Sequence, residues 1–187
     1  MININELKKS LNELEKKDLI RLITDMAQAC PQAKEYLTIK FAGKKHIKKI
    51  HEDYKDKIEM VFYPTGRSWR LNLQDAKSAI SDFKRVCKDK NMIVDLMLLY
   101  VEECVAFTNN YGDINEAFYN SAGSMYANVV KEINKENESF YRKFADRLFK
   151  VANNAPHGWG FYDVMMDLYH NIIWLDDTKG ECDLISN

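Results

Sequence analysis

A chain of 187 residues with 29% charged and 46% hydrophobic side chains is ordinary for a soluble globular protein and long enough for one domain with a substantial core. Its longest strongly apolar run is too short to span a bilayer, and the opening Met1-Ile-Asn-Ile-Asn-Glu has no basic region followed by an apolar one, so neither a membrane span nor a secretory signal is expected. The formal net charge of −1 hides a split, with 20 Lys or Arg against 13 Asp or Glu in residues 1–90 and 7 against 15 in residues 91–187. A basic half can meet nucleic acid or an acidic partner; two opposite halves of one bundle can equally attract each other.

Seven Gly and three Pro favour long helices with short connections. Asn3 with Glu6 three residues on reads as a capping pair for a first helix striped by Ile4, Leu7, Leu11 and Leu14. A second helix is expected over Lys17 to Ala29, with Leu19, Ile20, Leu22, Ile23 and Met26 apolar. Pro31 opens a third, carrying Tyr36, Leu37 and Phe41, which Gly43 stops. Connections this short make residues 1–43 a hairpin-like unit, semi-independent of the rest of a single domain over 1–187.

The fourth helix, Lys44 to Phe62, keeps an apolar stripe through Ile47, Ile50, Tyr54, Ile58, Val61 and Phe62. Opposite stand Lys44, Lys45, Lys48, Lys49, Lys55 and Lys57, the candidate basic surface. Pro64-Thr65-Gly66 turns the chain into Arg67-Ser68-Trp69-Arg70, where a Trp between two Arg residues either binds an anion or plugs the core while both Arg side chains stay wet. From Asn72 to Lys88, Leu73, Ala76, Ile80, Phe83 and Cys87 face inward, and Asp75, Lys77 and Asp82 face water.

The stretch from Met92 to Ser121, a helix and then a sharp turn that launches another, is the centre of the fold. Ile93, Leu96, Met97, Tyr100, Cys104, Phe107 and Tyr111 recur at helical spacing, and only Asp95, Glu102 and Glu103 leave a narrow polar edge. Gly112 closes this helix, and Asp113 with Glu116 suggests a capping box for the next. That seventh helix is striped by Ile114, Phe118, Ala122, Met125, Val129 and Ile133, and thinned by Ser121, Gly123 and Ser124, so a neighbouring helix or a ligand approaches closely there. An aromatic-rich eighth helix covers Ser139 to Ala152. The linker Asn153 to Gly160 opens the last one, which runs to Leu175, and residues 176–187 form a polar tail.

Chemistry is sparse. Cys30, Cys87, Cys104 and Cys182 have no zinc spacing, and two of them fall on apolar stripes, which suits reduced thiols in a cytoplasmic protein. Asp163, Asp167 and His170 share a face but have no Glu-x-x-His partner, so a solvated face is expected and no metal or cofactor. There is no P-loop, nucleophile elbow or dinucleotide-binding glycine pattern. A polar and aromatic group remains at the loops: Arg67, Trp69, Arg70, Tyr111, Asp113, Asn115, Tyr119, His157, Trp159 and Asp163. These line one pocket if the loops meet at one end; otherwise Asp113 is a cap, Tyr119 and Trp159 are core plugs, and the rest face solvent.

The run Phe107-Thr-Asn-Asn-Tyr-Gly-Asp-Ile-Asn-Glu-Ala-Phe-Tyr-Asn-Ser, with Ala76-Lys-Ser-Ala-Ile-Ser-Asp-Phe-Lys, Gly158-Trp-Gly-Phe-Tyr-Asp and Leu11-Asn-Glu-Leu-Glu-Lys-Lys-Asp-Leu-Ile-Arg-Leu-Ile, resembles a small bacterial family, domain of unknown function 6155. The resemblance covers nearly the whole chain and implies a single-domain bacterial protein, with no activity or site residues to transfer. The expectation is an all-α protein of about nine helices, stacked as antiparallel pairs in a bundle or short solenoid-like array. It is expected to be a binding module with a protein partner at the loop end or the groove beside Gly123, and not an enzyme. Nucleic-acid binding through the basic half is the alternative, and an enzyme or small-ligand binder with a pocket at the loop cluster the second alternative.

Overall fold

In the computed structural model, residues 3–63 and 71–175 are described, together with all side chains in them except that of Lys44. Arg67, Trp69 and Arg70, the Pro64-Thr65-Gly66 turn and the 176–187 tail lie outside the described residues. The chain is all-α, with ten α-helices and one 3-10 turn among the described residues. The helices are α1 (Ile4–Asn12), α2 (Lys16–Ala29), α3 (Pro31–Phe41), α4 (Lys44–Phe62), α5 (Leu73–Val86), α6 (Lys90–Tyr111), α7 (Glu116–Asn134), α8 (Glu138–Arg142), α9 (Ala145–Asn153) and α10 (Phe161–His170), the 3-10 turn being Gly158–Gly160. None is long and apolar enough to cross a membrane.

Helix α6 is the axis because it has little polar surface to leave in water. Leu96, Met97, Leu98, Tyr100, Val101, Cys104, Val105 and Phe107 are all buried along it. Helices α4 and α5 pack on one side of α6, and α7 and α9 on the other; α10 closes the far layer against α7 and α9. Aromatic rings stitch the layers: Phe62 of α4 meets Phe107 and Tyr100 at 6.1 and 6.0 Å, and Phe107 meets Phe118 of α7 at 6.1 Å. Between α7 and α9 the buried Tyr126 hydroxyl donates to the Leu148 carbonyl at 2.9 Å, so its polar end is satisfied inside the core.

Several boundaries differ from the sequence expectation for identifiable reasons. The Asn3–Glu6 capping box forms as expected. At α7, however, the cap is Asn115, whose Oδ1 accepts from the Phe118 N–H at 2.9 Å; Asp113 is used elsewhere. Gly112, at φ +83, ends α6, and the chain is in no helix again until Glu116, so the cap is the Asn immediately before it. The expected eighth helix is two, α8 and α9, broken at Lys143 and Phe144 with no Pro or Gly to announce it. The last helix ends at His170, where Asn134 of α7 takes over by donating to the Asn171 carbonyl and accepting from the Ile173 N–H, at 2.8 and 3.1 Å.

The amino-terminal helices are different in kind. Helix α3 packs on α4 and α5, tied by the Tyr54 hydroxyl donating to Glu35 at 2.8 Å, and α2 packs on α3. Neither α1 nor α2 buries a single residue.

Candidate functional site

At one end of the bundle the α6–α7 corner meets the linker between α9 and α10. The Tyr119 hydroxyl donates to Asp113 at 2.8 Å, the buried Tyr119 ring lies 4.9 Å from that of Phe161, and Asp113 rests against Gly158 so closely that a Cβ there would sit 2.6 Å from its Oδ1. Asn109 ties the same linker by donating to the Asn154 carbonyl at 2.9 Å. Tyr63, at the end of α4, reaches this end too, 6.5 Å from Phe107. Among the residues singled out from sequence, Asp113, Tyr119 and the linker around Gly158 therefore come together. His157 is exposed against the Tyr162 ring at 4.3 Å, Asn115 is spent as a cap, and Asp163 is exposed on α10. Trp159 is not a core plug: it is 70% exposed, and its backbone is left-handed at φ +56, followed by Gly160 at φ +69. What results is a latch between two turns.

A charged knot that the residue spacing did not reveal joins α4, α6 and α9. Asp95 accepts from Arg147, from Lys55 at 3.0 Å and from His51 Nε2 at 3.1 Å, while Arg147 forks onto Glu102 at 2.8 and 2.7 Å. His51 Nε2 also faces the Met92 carbonyl at 3.2 Å; both neighbours are acceptors, so Nε2 carries the proton. Burial pushes the Asp95 carboxyl up, but the hydrogen bonds from His51, Arg147 and Lys55 together hold it well below the usual carboxylate range. Beside the knot, burial and then the charges of Glu59 and Glu102 push Glu103 up to about 7. Every cation in the knot is matched, so it acts as a fastening between helices.

Between α5 and α7 lies a groove of about 440 Å³, lined by Lys77, Asn120, Ser121, Ser124, Met125 and Asn128 among others. Lys77 is half-buried, not free in water, and its ammonium donates to Ser121 Oγ at 3.2 Å; the buried Tyr100 hydroxyl lies 2.7 Å from the same oxygen. The thinning at Ser121, Gly123 and Ser124 thus serves two faces. Gly123 is buried where α10 passes, with a Cβ there in ordinary contact with Val164 at 3.5 Å, and the serines open toward α5.

The basic face of α4 is partly consumed. Lys55 is in the knot, and Lys57 lies 3.9 Å from Glu35 and 3.9 Å over the Tyr54 ring. Lys45, Lys48 and Lys49 stay exposed. By contrast α1 and α2 expose Ile4, Leu7, Ile20, Leu22, Ile23 and Met26, with Ile4 and Ile20 at 66% and 57%. Their apolar stripes follow helical periodicity as read from sequence; α3 packs on α2, and Leu11 and Leu19 are half-buried, but these six side chains stay exposed.

Residues 2–171 match the model of a family described as Family of unknown function (DUF6155). No curated protein and no solved structure matches the chain.

Proposed function

The chain belongs to this family of unknown function, and we propose that it is a non-enzymatic, protein-binding helical module that docks through the apolar face of α1 and α2. One observation carries the reading: two strongly amphipathic helices fully bury none of their residues and leave Ile4, Leu7, Ile20, Leu22, Ile23 and Met26 exposed. A monomer gains nothing from such a face, and contiguous exposed apolar surface marks interaction sites.

The partner that fits is a second copy of this chain. Around the stripe, residues 3–29 carry five cations (Lys8, Lys9, Lys16, Lys17 and Arg21) and five carboxylates (Glu6, Glu13, Glu15, Asp18 and Asp25), so like meets like without net repulsion. A two-fold arrangement would pair each stripe with its own copy. The buried free thiols Cys87 and Cys104 suit the reducing setting of the cytoplasm.

The experiment is light scattering on the whole chain and on the I20E/I23E variant, whose substitutions fall on exposed positions and leave the core intact. A dimer that becomes a monomer in the variant, with an unchanged melting temperature for the remaining fold, supports the reading. A wild-type monomer at about 100 μM, a concentration at which even modest specific interfaces are occupied, sinks self-docking. The exposed Lys45, Lys48 and Lys49 keep the nucleic-acid alternative distinct: duplex binding that falls steeply with salt would replace the present reading.

A further inference from the structure

The groove between α5 and α7 lies away from α1 and α2, and its polar atoms can be counted. Ser121 Oγ has two lone pairs and one proton. Lys77 donates to one lone pair. Tyr100 is wholly buried, and its hydroxyl lies 2.7 Å from the same Ser121 oxygen. In that pair either oxygen can be the donor. The floor of the groove therefore carries one fixed donor, the Lys77 ammonium, whose protons beyond the one given to Ser121 are available to a ligand.

Among the described residues lining the groove, Lys77 is the one charged side chain. Asn120, Ser124 and Asn128 add neutral groups that donate and accept, and Met125 an apolar wall. We propose that this groove binds a small carboxylate: the anionic group sits on Lys77 and Ser121, a hydroxyl or amide substituent meets Asn120, Ser124 or Asn128, and the short carbon skeleton lies on Met125. One cation balances one negative charge, which suits a carboxylate better than a phosphate dianion, and no Arg is present to fork onto phosphate. The volume of about 440 Å³ is within the range of small-molecule sites, roughly 300–1,000 Å³. Binding is favoured over acyl chemistry at Ser121 because the residue lies in the middle of α7, where backbone N–H groups are committed to the helix and supply no oxyanion hole.

The test is amide NMR of the full chain titrated with butyrate, with 3-hydroxybutyrate and, in a separate arm, with inorganic phosphate, all against a chloride control at matched ionic strength. Saturable shifts at Asn120, Ser121 and Ser124 with either carboxylate are expected. They should weaken about tenfold or more in Lys77→Met, the loss of one charge-assisted hydrogen bond, and be kept in Lys77→Arg and in the remote Lys150→Met. Lys77 is only half-buried, so Lys77→Met should keep the rest of the spectrum in place. No saturation by about 50 mM carboxylate, equal binding by Lys77→Met, or tighter binding of phosphate than of either carboxylate overturns the assignment.

Discussion

Replacing Asp95 by Asn removes the charge that faces both Lys55 and Arg147 and accepts from His51, while changing the shape of the side chain little. Asp95 is 16% exposed, and its partners Lys55 and Arg147 are 27% and 34% exposed. Breaking a fully buried pair costs about 3–5 kcal/mol. Here water reaches both long cations and Arg147 keeps its fork on Glu102, so the loss should be about 2 kcal/mol. For a chain of this length that is about 4–8 °C in melting temperature at pH 7. The pH dependence fixes the mechanism. The folded carboxyl is held well below its unfolded value, so between the two values the unfolded chain binds more protons than the folded one. The stabilisation is therefore complete above the ordinary Asp value and drains away as the pH falls below about 4. Thermal melts of wild type and Asp95→Asn from pH 8 to pH 3 should show a gap that is widest at neutral pH and narrows in acid. A gap under about 1 °C at pH 7, or one that grows in acid, would refute the fastening role.

Glu103 should behave in the opposite sense. Its folded value, pushed up to about 7, means the folded chain binds more protons than the unfolded one from about pH 4.5 to 7, so this group lowers stability as the pH rises through that window. Glu103→Gln should gain about 1 kcal/mol at pH 8, after discounting for its half-exposed position, and nothing at pH 5; a loss at pH 8 contradicts the assignment. Trp159→Gly should raise stability by about 0.5–1 kcal/mol in denaturant melts, because the left-handed backbone favours glycine and a ring 70% exposed packs little; a clear loss would give the ring a packing role. Gly158→Ala should cost about 1–2 kcal/mol by pushing Asp113 off the Tyr119 hydroxyl, and the cost should vanish in an Asp113→Ala background; additive losses would break the link.

Periodicity made the helices legible, and the buried run Leu96–Leu98 made α6 the axis. It did not reveal what lies across from a stripe. Ile20 and Ile23 read the same in a sequence whether a core, a partner or water faces them, and only the path of α3 onto α4 and α5 leaves them outside. The polar edge of α6 was visible in Asp95, Glu102 and Glu103, but its counter-charge comes from Arg147, 52 positions beyond Asp95, and no local spacing could pair them. The corner at Gly112 was legible because a left-handed residue there has one economical identity, whereas the choice between Asp113 and Asn115 as the cap depended on how long the connection ran before α7. The serines of α7 flagged a close approach, yet Lys77 looked like one more solvent-facing lysine until α5 was laid beside α7.

Hydrogen exchange followed across a range of protein concentrations tests the docking face most directly. The account predicts that amides from Leu19 to Met26 gain protection as concentration rises while those of α6 exchange at one slow rate throughout. Identical exchange of α2 at every concentration would contradict it.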